Sequence, residues 1–145
     1  MQKALLDTDT LSEILKGKSQ SVVRRAGEYT RVHDQFTFTA VSVHEILYGL
    51  YHKDAKRQLA QAKASFEENE VIVPTIEDYE TAGRIRGVAS SKGHQLALDD
   101  CLIGAVAARL GLPVVTGNTD HFSAMQKAGL DVELDNWQKQ SPPLE

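Results

Sequence analysis

Short apolar segments alternate with helical patterns along the whole chain, and this alternation restricts the fold more than any other feature. The apolar segments predict short strands at residues 4–6, 36–41, 71–74, 113–116 and 132–134. Helices are predicted from residue 11 onward and over residues 19–30, 42–51, 54–68, 75–92 and 99–110. Strands that are apolar on both sides and separated by helices are typical of parallel sheets with both faces covered. The sequence therefore predicts an α/β fold, with a short parallel sheet sandwiched between helices.

The chain is expected to form one domain. Its 145 residues suffice to bury a hydrophobic core, and 41% hydrophobic with 25% charged residues is an ordinary composition for a folded protein. No repeat, low-complexity tract or linker divides residues 1–138, which we assign to this domain. Residues 139–145 contain two prolines and little to bury, so a flexible C-terminal tail is predicted there. Its final Leu-Glu pair is expected to be vector-derived.

Charge, cysteine content and hydropathy exclude several classes of protein. Sixteen basic and 20 acidic residues give a net charge of −4, which argues against a protein that coats nucleic acid by bulk positive charge. Cys101 is the only cysteine, which excludes an intrachain disulfide and a multi-cysteine zinc site. No apolar run approaches the roughly 20 residues of a membrane span, and the N-terminus has no signal-peptide core. A cytoplasmic enzyme or binding domain fits these observations.

Acidic residues follow the predicted strands or begin the helices after them. Asp7 follows the first strand, Glu45 lies early in the helix after the second, Asp100 begins the helix before the fourth, and Asp120 follows the fourth. Because ligands of parallel α/β sheets bind outside the carboxyl ends of the strands, we expect these acids to share one edge. Crowded carboxylates raise each other's pKa unless a cation neutralises them. Hard oxygen donors of this kind suit Mg²⁺, with Mn²⁺ as a substitute.

Each acid also has a simpler structural interpretation, and the sequence leaves both open. Thr10 with Glu13, and Ser42 with Glu45, have the spacing of capping boxes at helix starts. Asp7 and Asp9 are also consistent with residues that end the first strand and cap the next helix. Asp99 is a possible N-cap, and Asp100 gains from the helix dipole. Asp120 is equally consistent with a first-turn acid that only complements the helix dipole. Only their common position at one edge favours a functional cluster.

Four segments, in this order, resemble the motifs of the PIN-domain ribonucleases, specifically the VapC-type toxins of bacterial toxin–antitoxin pairs. They are LLDTDTLSE at residues 5–13, TAVSVHEILYG at 39–49, LDDCLIGAVA at 98–107 and GLPVVTGN at 111–118. The resemblance extends over residues 5–122. Its third segment is the most specific, and the four together are far more specific than any one of them.

By this resemblance, Asp7, Glu45 and Asp100 match the three acids that surround the family's metal ion. Asp7 and Asp100 would hold Mg²⁺ directly, and Glu45 would orient the attacking water or bind a second ion. The fourth motif departs from the family, which often has Thr-Arg-Asn followed by an acid. Here Gly117 replaces the arginine and His121 stands at the late acid position.

The fourth acidic position is therefore assigned to Asp120, with Asn118 and His121 as the other candidates. Asp99, Thr116 and Asn118 are possible accessory residues. The hydroxyls of Thr8, Ser42 and Thr116 are candidates to donate to an acid or a phosphate, although helix capping explains them equally.

The resemblance implies a metal-dependent endoribonuclease that hydrolyses RNA and leaves a 5′-phosphate. It also implies a homodimer that a cognate antitoxin neutralises, with residues 54–68 as one possible docking surface for the antitoxin. Basic residues on two helices are candidates for phosphate contacts, and ordinary solvent-exposed faces explain them equally. They are Lys53, Lys56, Arg57, Lys63, Arg84, Arg86 and Lys92.

Two alternatives belong to other classes. A PIN fold that binds a partner without catalysis would explain the altered fourth motif. A phosphohydrolase of the haloacid dehalogenase type also begins with a strand and Asp-x-Asp, as Asp7 and Asp9 do, but Leu11 departs from its motif. A zinc-protease reading of residues 44–48 fails because Tyr48 stands where the second histidine is needed.

Overall fold

The computed structural model describes residues 1–139, and within them the chain forms seven helices and five strands. In chain order these are β1 (Leu5–Leu6), α1 (Thr8–Lys16), α2 (Gln20–His33), β2 (Thr37–Thr39), α3 (Ala40–His52), α4 (Lys56–Glu68), β3 (Glu70–Ile72), α5 (Ile76–Ser91), α6 (Leu98–Leu110), β4 (Val114–Val115), α7 (Thr119–Lys127) and β5 (Leu134–Asp135). The α/β prediction is confirmed. None of the helices in residues 1–139 is long and apolar enough to cross a membrane.

All strand pairs are parallel, as predicted. Strands β1, β4 and β5 form one ladder in the order β1-β4-β5, and β2 pairs with β3 in a second ladder. Strand β2 lies against β1, so the two ladders are neighbours. The register pairs Leu6 with Val115 and Thr39 with Ile72. The carboxyl ends of the strands therefore meet at one edge, from which α1, α3 and α7 begin.

The hydrophobic core has two halves, one on each side of the central ladder. Leu5 and Val114 belong to one half, whereas their neighbours Leu6 and Val115 belong to the other. Successive side chains of a strand point to opposite faces, so helices must cover both faces of this ladder. All four side chains are fully buried, which explains why the strand segments are apolar throughout.

Helix α1 begins three residues earlier than predicted, and Asp7 has the capping role that the sequence left open for it. Helix α1 begins at Thr8, and the Asp7 carboxylate caps it by accepting a hydrogen bond from the Thr10 amide at 2.8 Å. The predicted Thr10–Glu13 capping box is therefore wrong. Because β1 ends at Leu6, Asp7 is the first side chain after the strand. Its carboxylate therefore lies next to the first amides of the helix, which have no partner within the helix.

Two further capping predictions are also wrong. Helix α3 begins at Ala40, which places Ser42 inside its first turn, where the hydroxyl turns toward α1. The predicted strand at 36–41 is correspondingly shorter. Ala97, not Asp99, is the N-cap of α6, so Asp99 and Asp100 both lie in the first turn.

Helices α5 and α6 have nearly the ranges that the sequence predicted, and the residues at one end of each explain where it begins or ends. Gly111 ends α6 in the left-handed conformation (φ 67°), which glycine adopts without strain. Thr75 begins α5 with a capping box that it shares with Asp78. The predicted tail at 139–145 lies, apart from its first residue, outside the described residues, so the domain boundary at 138 stays a prediction.

Candidate active site

Asp7 stands at the junction between β1 and α1 and is almost fully buried, with 3% of its surface exposed. Burial raises the pKa of Asp7, and hydrogen bonds from Thr116 and Thr10 only partly offset this effect. The nearby charge of Asp9 raises the pKa further. A buried carboxylate with no cationic partner among these influences is one that binding of a cation would stabilise.

Two hydroxyl groups connect α1 to Glu45 on α3. Thr8 donates a hydrogen bond from Oγ1 to Glu45 Oε1 at 2.7 Å, and Thr8 Oγ1 also lies 2.8 Å from Ser42 Oγ. Because Thr8 has one hydroxyl hydrogen and gives it to Glu45, Ser42 is the donor in the second bond. The residue after Asp7 thus fixes the side chain of Glu45, which the sequence placed in the same cluster.

The charge of Asp100 acts on Glu45 across the edge of the sheet. Burial raises the pKa of Glu45, the Thr8 hydrogen bond lowers it, and the charges of Asp99, Asp100 and Asp9 raise it again. Burial likewise raises the pKa of Asp100, and His121 lowers it, while Asp9 and Asp99 raise it. Carboxylates from α1, α3 and α6 therefore lie within electrostatic reach of one another.

The fourth motif reaches this cluster through His121 of α7. Its Nδ1 lies 3.3 Å from Asp100 Oδ2 and 2.8 Å from the Asn118 side-chain nitrogen. Asp120, the residue that the sequence assigned to the fourth acidic position, is exposed in the first turn of α7. Thr116 is fully buried at the end of β4 and accepts a hydrogen bond from the Asn118 amide at 2.8 Å.

Asp9 is the acid that the predicted site left out. It is exposed on the first turn of α1, yet its charge raises the pKa of three acids of the cluster. The sequence carried a usable signal, because Asp9 also follows the first strand and the carboxyl ends of parallel strands meet at one edge. The structure gives Asp9 a place beside the cluster, as it does Asp99.

The cluster fits a partly hydrated divalent cation better than an ion enclosed by protein. Within residues 1–139, no three His, Cys, Asp or Glu side chains converge closely enough to hold a metal ion as a group. The donors are nevertheless carboxylate oxygens that repel one another, which is the chemistry that Mg²⁺ and Mn²⁺ require. Mg²⁺ commonly takes one or two carboxylates and keeps water in its other positions. By the family resemblance, Asp7 and Asp100 are the residues that would hold it.

The basic residues that are candidates for phosphate contacts differ in their exposure and in their hydrogen bonds. Lys53, Lys56 and Arg57 are exposed near the end of α3 and the start of α4. Arg86 donates from Nε to the Leu96 carbonyl at 2.9 Å. That side chain therefore has a structural role between α5 and α6.

Three more basic candidates are exposed. Lys63 contacts the Tyr51 hydroxyl at 3.0 Å, and Lys92 donates to the Lys127 carbonyl at 3.2 Å. Arg84 is exposed on α5.

The polar helix α4 is less available as a docking surface than the sequence allowed. Leu59 is buried, and Phe66 packs in the core with its ring centroid 6.0 Å from that of Phe38. Ala60 is exposed. Core packing therefore accounts for the two large apolar residues of this helix.

Comparison with known proteins gives one family match. A family model described as the PIN domain matches residues 4–128. No curated protein matches the sequence. The matched range contains strands β1 to β4 and every acid of the cluster.

Solved structures show the same fold. A chain of the DNA-bound VapBC complex from Salmonella typhimurium is 25% identical with a TM-score of 0.78, covering 94% of this chain and 99% of that chain. A chain of VapBC2 from Rickettsia felis, bound to a promoter DNA fragment, is 18% identical with a TM-score of 0.76, covering 94% and 99%. VapBC-1 from nontypeable Haemophilus influenzae gives 14% identity and a TM-score of 0.76, covering 95% and 100%. The latter two are similar in fold alone.

Proposed function

The chain belongs to the PIN domain family, and from this premise we propose that it is a metal-dependent endoribonuclease acting as a VapC-type toxin. The similarity to a chain of a VapBC complex, at 25% identity over nearly the full length, supports the toxin assignment. The family match also removes the haloacid dehalogenase alternative, because that class has a different fold.

The observation that carries the proposal is the gathering of Asp7, Glu45 and Asp100 at one edge of the sheet. Thr8, the residue after Asp7, donates a hydrogen bond to Glu45, and the charge of Asp100 acts on Glu45. Burial raises the pKa of all three, and neighbouring carboxylates raise each further. Helix capping does not explain the positions of Glu45 and Asp100, since neither residue caps its helix. Holding several carboxylates together costs stability unless a cation compensates, so such a cluster points to ion binding.

When bound, a divalent cation would stabilise the negative charge that develops on the phosphodiester and would lower the pKa of a water molecule. Asp7 and Asp100 bind that ion in our proposal. Glu45, fixed by Thr8, accepts a hydrogen bond from the attacking water and orients it toward phosphorus. Glu45 is suited to this role because the Thr8 hydroxyl restrains its carboxylate. Since water is the nucleophile, the RNA 2′-hydroxyl takes no part, and the downstream product carries a 5′-phosphate.

RNA must approach a protein whose net charge is −4. We assign phosphate contacts first to Lys53, Lys56 and Arg57, because these three exposed side chains follow one another closely at the end of α3 and the start of α4. Such contacts make affinity fall steeply with salt concentration. The remaining basic candidates are secondary in this proposal.

A protein antitoxin and a second copy of the chain are the partners in this proposal. Residues of an antitoxin that bring a guanidinium to the carboxylate cluster would neutralise it as a cation does. We expect a homodimer from the family resemblance, and we propose a cytoplasmic location.

A non-catalytic PIN-fold binding protein is the competing function, and the altered fourth motif favours it. In that motif His121 takes the position of an acid and Gly117 that of an arginine. A cleavage assay separates the two functions.

The test compares wild type, Asp100→Asn and Asp131→Asn, purified identically without antitoxin, on a mixed RNA pool. Asp131 is an exposed acid outside the cluster and provides the matched control. We expect cleavage with Mg²⁺ by wild type and the control. EDTA should abolish it, and Asp100→Asn should reduce it at least about 100-fold, a loss within the range that one electrostatic group contributes. Equal cleavage by all three proteins, or none on any RNA tested, would contradict the proposal.

A further inference from the structure

Helix α3 carries three aromatic rings on one exposed face, those of His44, Tyr48 and His52, which we call the aromatic ladder. The three residues follow one another at intervals of four, so each ring lies about one helical turn beyond the last. The ring centroids of His44 and Tyr48 are 6.4 Å apart, with the planes 27° from parallel. Those of Tyr48 and His52 are 6.3 Å apart and only 10° from parallel. The ladder is therefore a row of nearly parallel rings.

Contacts along the helix leave these rings in water. Tyr48 is 67% exposed and the nearby Tyr51 is 58% exposed. Together with Leu47, the ladder and Tyr51 line an open groove of about 480 Å³. Single exposed aromatic residues are ordinary, but a contiguous exposed patch of them marks a surface that another molecule covers.

The charge around this face favours a polyanion as the molecule that covers it. Residues 46–66 contain four lysine or arginine residues and one acid, Asp54, although the whole chain has a net charge of −4. The four cations are exposed: Lys53, Lys56, Arg57 and Lys63. Lys63 also contacts the groove, because its Nζ lies 5.4 Å from the centroid of the Tyr51 ring. Exposed rings flanked by cations are the combination by which proteins bind single-stranded nucleic acid.

The ladder begins beside the proposed reaction centre. His44 directly precedes Glu45, and Tyr48 lies three residues after Glu45, so Glu45 and Tyr48 are neighbours on the helix surface. From His44 to His52 the helix rises about 12 Å, and the cations follow at its end. A strand of RNA whose reacting phosphate lies at Glu45 can therefore extend along the rings toward these cations.

We propose that the aromatic ladder is a base-stacking platform for single-stranded RNA. Unpaired bases next to the scissile bond stack on Tyr48 and its two neighbours, and the following phosphates contact the cations at the end of α3. This inference rests on the proposed ribonuclease function and concerns the form of RNA that the site takes. Every base has an aromatic face, so such a platform selects unpaired over paired RNA more than one sequence over another.

The experiment measures binding of the full chain to a short, fluorescently labelled RNA by anisotropy, in EDTA so that no metal-dependent cleavage occurs. Tyr48→Ala should weaken binding of the single strand at least about fivefold, the lower limit for loss of one stacked base. Tyr48→Phe retains the ring and should bind as wild type does. So should Tyr79→Ala, the matched control, which removes an exposed tyrosine of α5.

The same RNA strand annealed to its complement separates stacking from charge. Paired bases are not available to the ladder, so the duplex should bind more weakly than the single strand and equally to wild type and Tyr48→Ala. Circular dichroism verifies that the variants are folded.

The inference is overturned if wild type and Tyr48→Ala bind the single strand equally, if Tyr48→Ala weakens single-strand and duplex binding alike, or if wild type binds no RNA. Sedimentation equilibrium without RNA tests a protein occupant. A wild-type dimer that Tyr48→Ala dissociates, with RNA binding unchanged, would assign the ladder to a contact between two copies of the chain.

RNA cleavage with Mg²⁺ decides the proposed function separately. If single-stranded RNA binds through Tyr48 but is not cleaved, the platform stands and the ribonuclease proposal fails. If RNA is cleaved and Tyr48→Ala binds it as wild type does, the ribonuclease proposal stands and the ladder is not its platform.

Discussion

At the scale of single residues, Asp7 combines a structural role with the catalytic role that we propose for it. It caps α1 through the Thr10 amide while burial raises the pKa of its carboxyl. Asparagine caps helices as well as aspartate does, so Asp7→Asn should preserve the cap and remove only the charge. The same change should abolish the proposed cleavage.

We predict that Asp7→Asn melts at a higher temperature than wild type at pH 7 without metal. A folded-state pKa above the unfolded one means that ionisation costs stability as pH rises past the unfolded pKa. A gain on the order of 1 kcal/mol would raise the melting temperature by about 2–4 °C. Differential scanning calorimetry at pH 4 and pH 7 should show the advantage growing with pH, and Mg²⁺ should stabilise wild type alone. A variant that is less stable than wild type at pH 7 would contradict this account.

Single residues also show where sequence reasoning reached its limit. The position of Asp7, Glu45 and Asp100 at one edge followed from the strands, because parallel strands bring their carboxyl ends together. The hydrogen bond from a particular hydroxyl to each acid could not be predicted from the sequence. The Thr8–Glu45 bond joins residues 37 positions apart, and it depends on how α1 packs against α3.

At the scale of elements, Asp78 and Arg109 join α5 to α6. Arg109 donates to Asp78 through Nε at 2.8 Å and Nη2 at 2.9 Å, and the Asp78 side chain is only 1% exposed. Burial alone would raise the pKa of Asp78, but the hydrogen bonds and charge of Arg109, with those from Thr75, bring it below its usual value.

We predict that Arg109→Ala lowers the free energy of unfolding by about 3 kcal/mol at pH 7, because it leaves a buried carboxylate unpaired. A lowered folded-state pKa gives stability above the unfolded pKa, which is lost as pH falls through the folded one. The deficit should therefore shrink below about pH 4. Urea titrations at pH 7 and pH 3.5 measure it, with the exposed Arg57→Ala as control. A deficit unchanged by pH would mean that lost packing, not charge, is responsible.

Helix α7 illustrates why some elements escape sequence analysis. It has nine residues, too few to be stable through local propensity, and no helix was predicted over residues 119–127. Its stability comes from packing, since Phe122 and Met125 are fully buried. Gly104 of α6 makes room for them, because a Cβ there would lie 2.9 Å from Leu130 and 3.1 Å from Met125. This packing places His121 beside Asp100.

At the scale of the whole molecule, one edge of a parallel sheet gathers the acids that, in our proposal, hydrolyse RNA with a bound ion. The α/β architecture followed from the alternation of apolar segments with helical patterns, and the family followed from four segments of sequence. The ion, the substrate and the partners depend on contacts with other molecules, which one chain does not determine.

The most direct measurement is cleavage of a defined RNA in H₂¹⁸O with a divalent metal ion, followed by mass spectrometry of the downstream product. The account predicts one ¹⁸O atom in a 5′-phosphate, and equal cleavage when the scissile nucleotide lacks its 2′-hydroxyl. A 5′-hydroxyl product paired with a 2′,3′-cyclic phosphate would contradict it, because the RNA itself would then be the nucleophile.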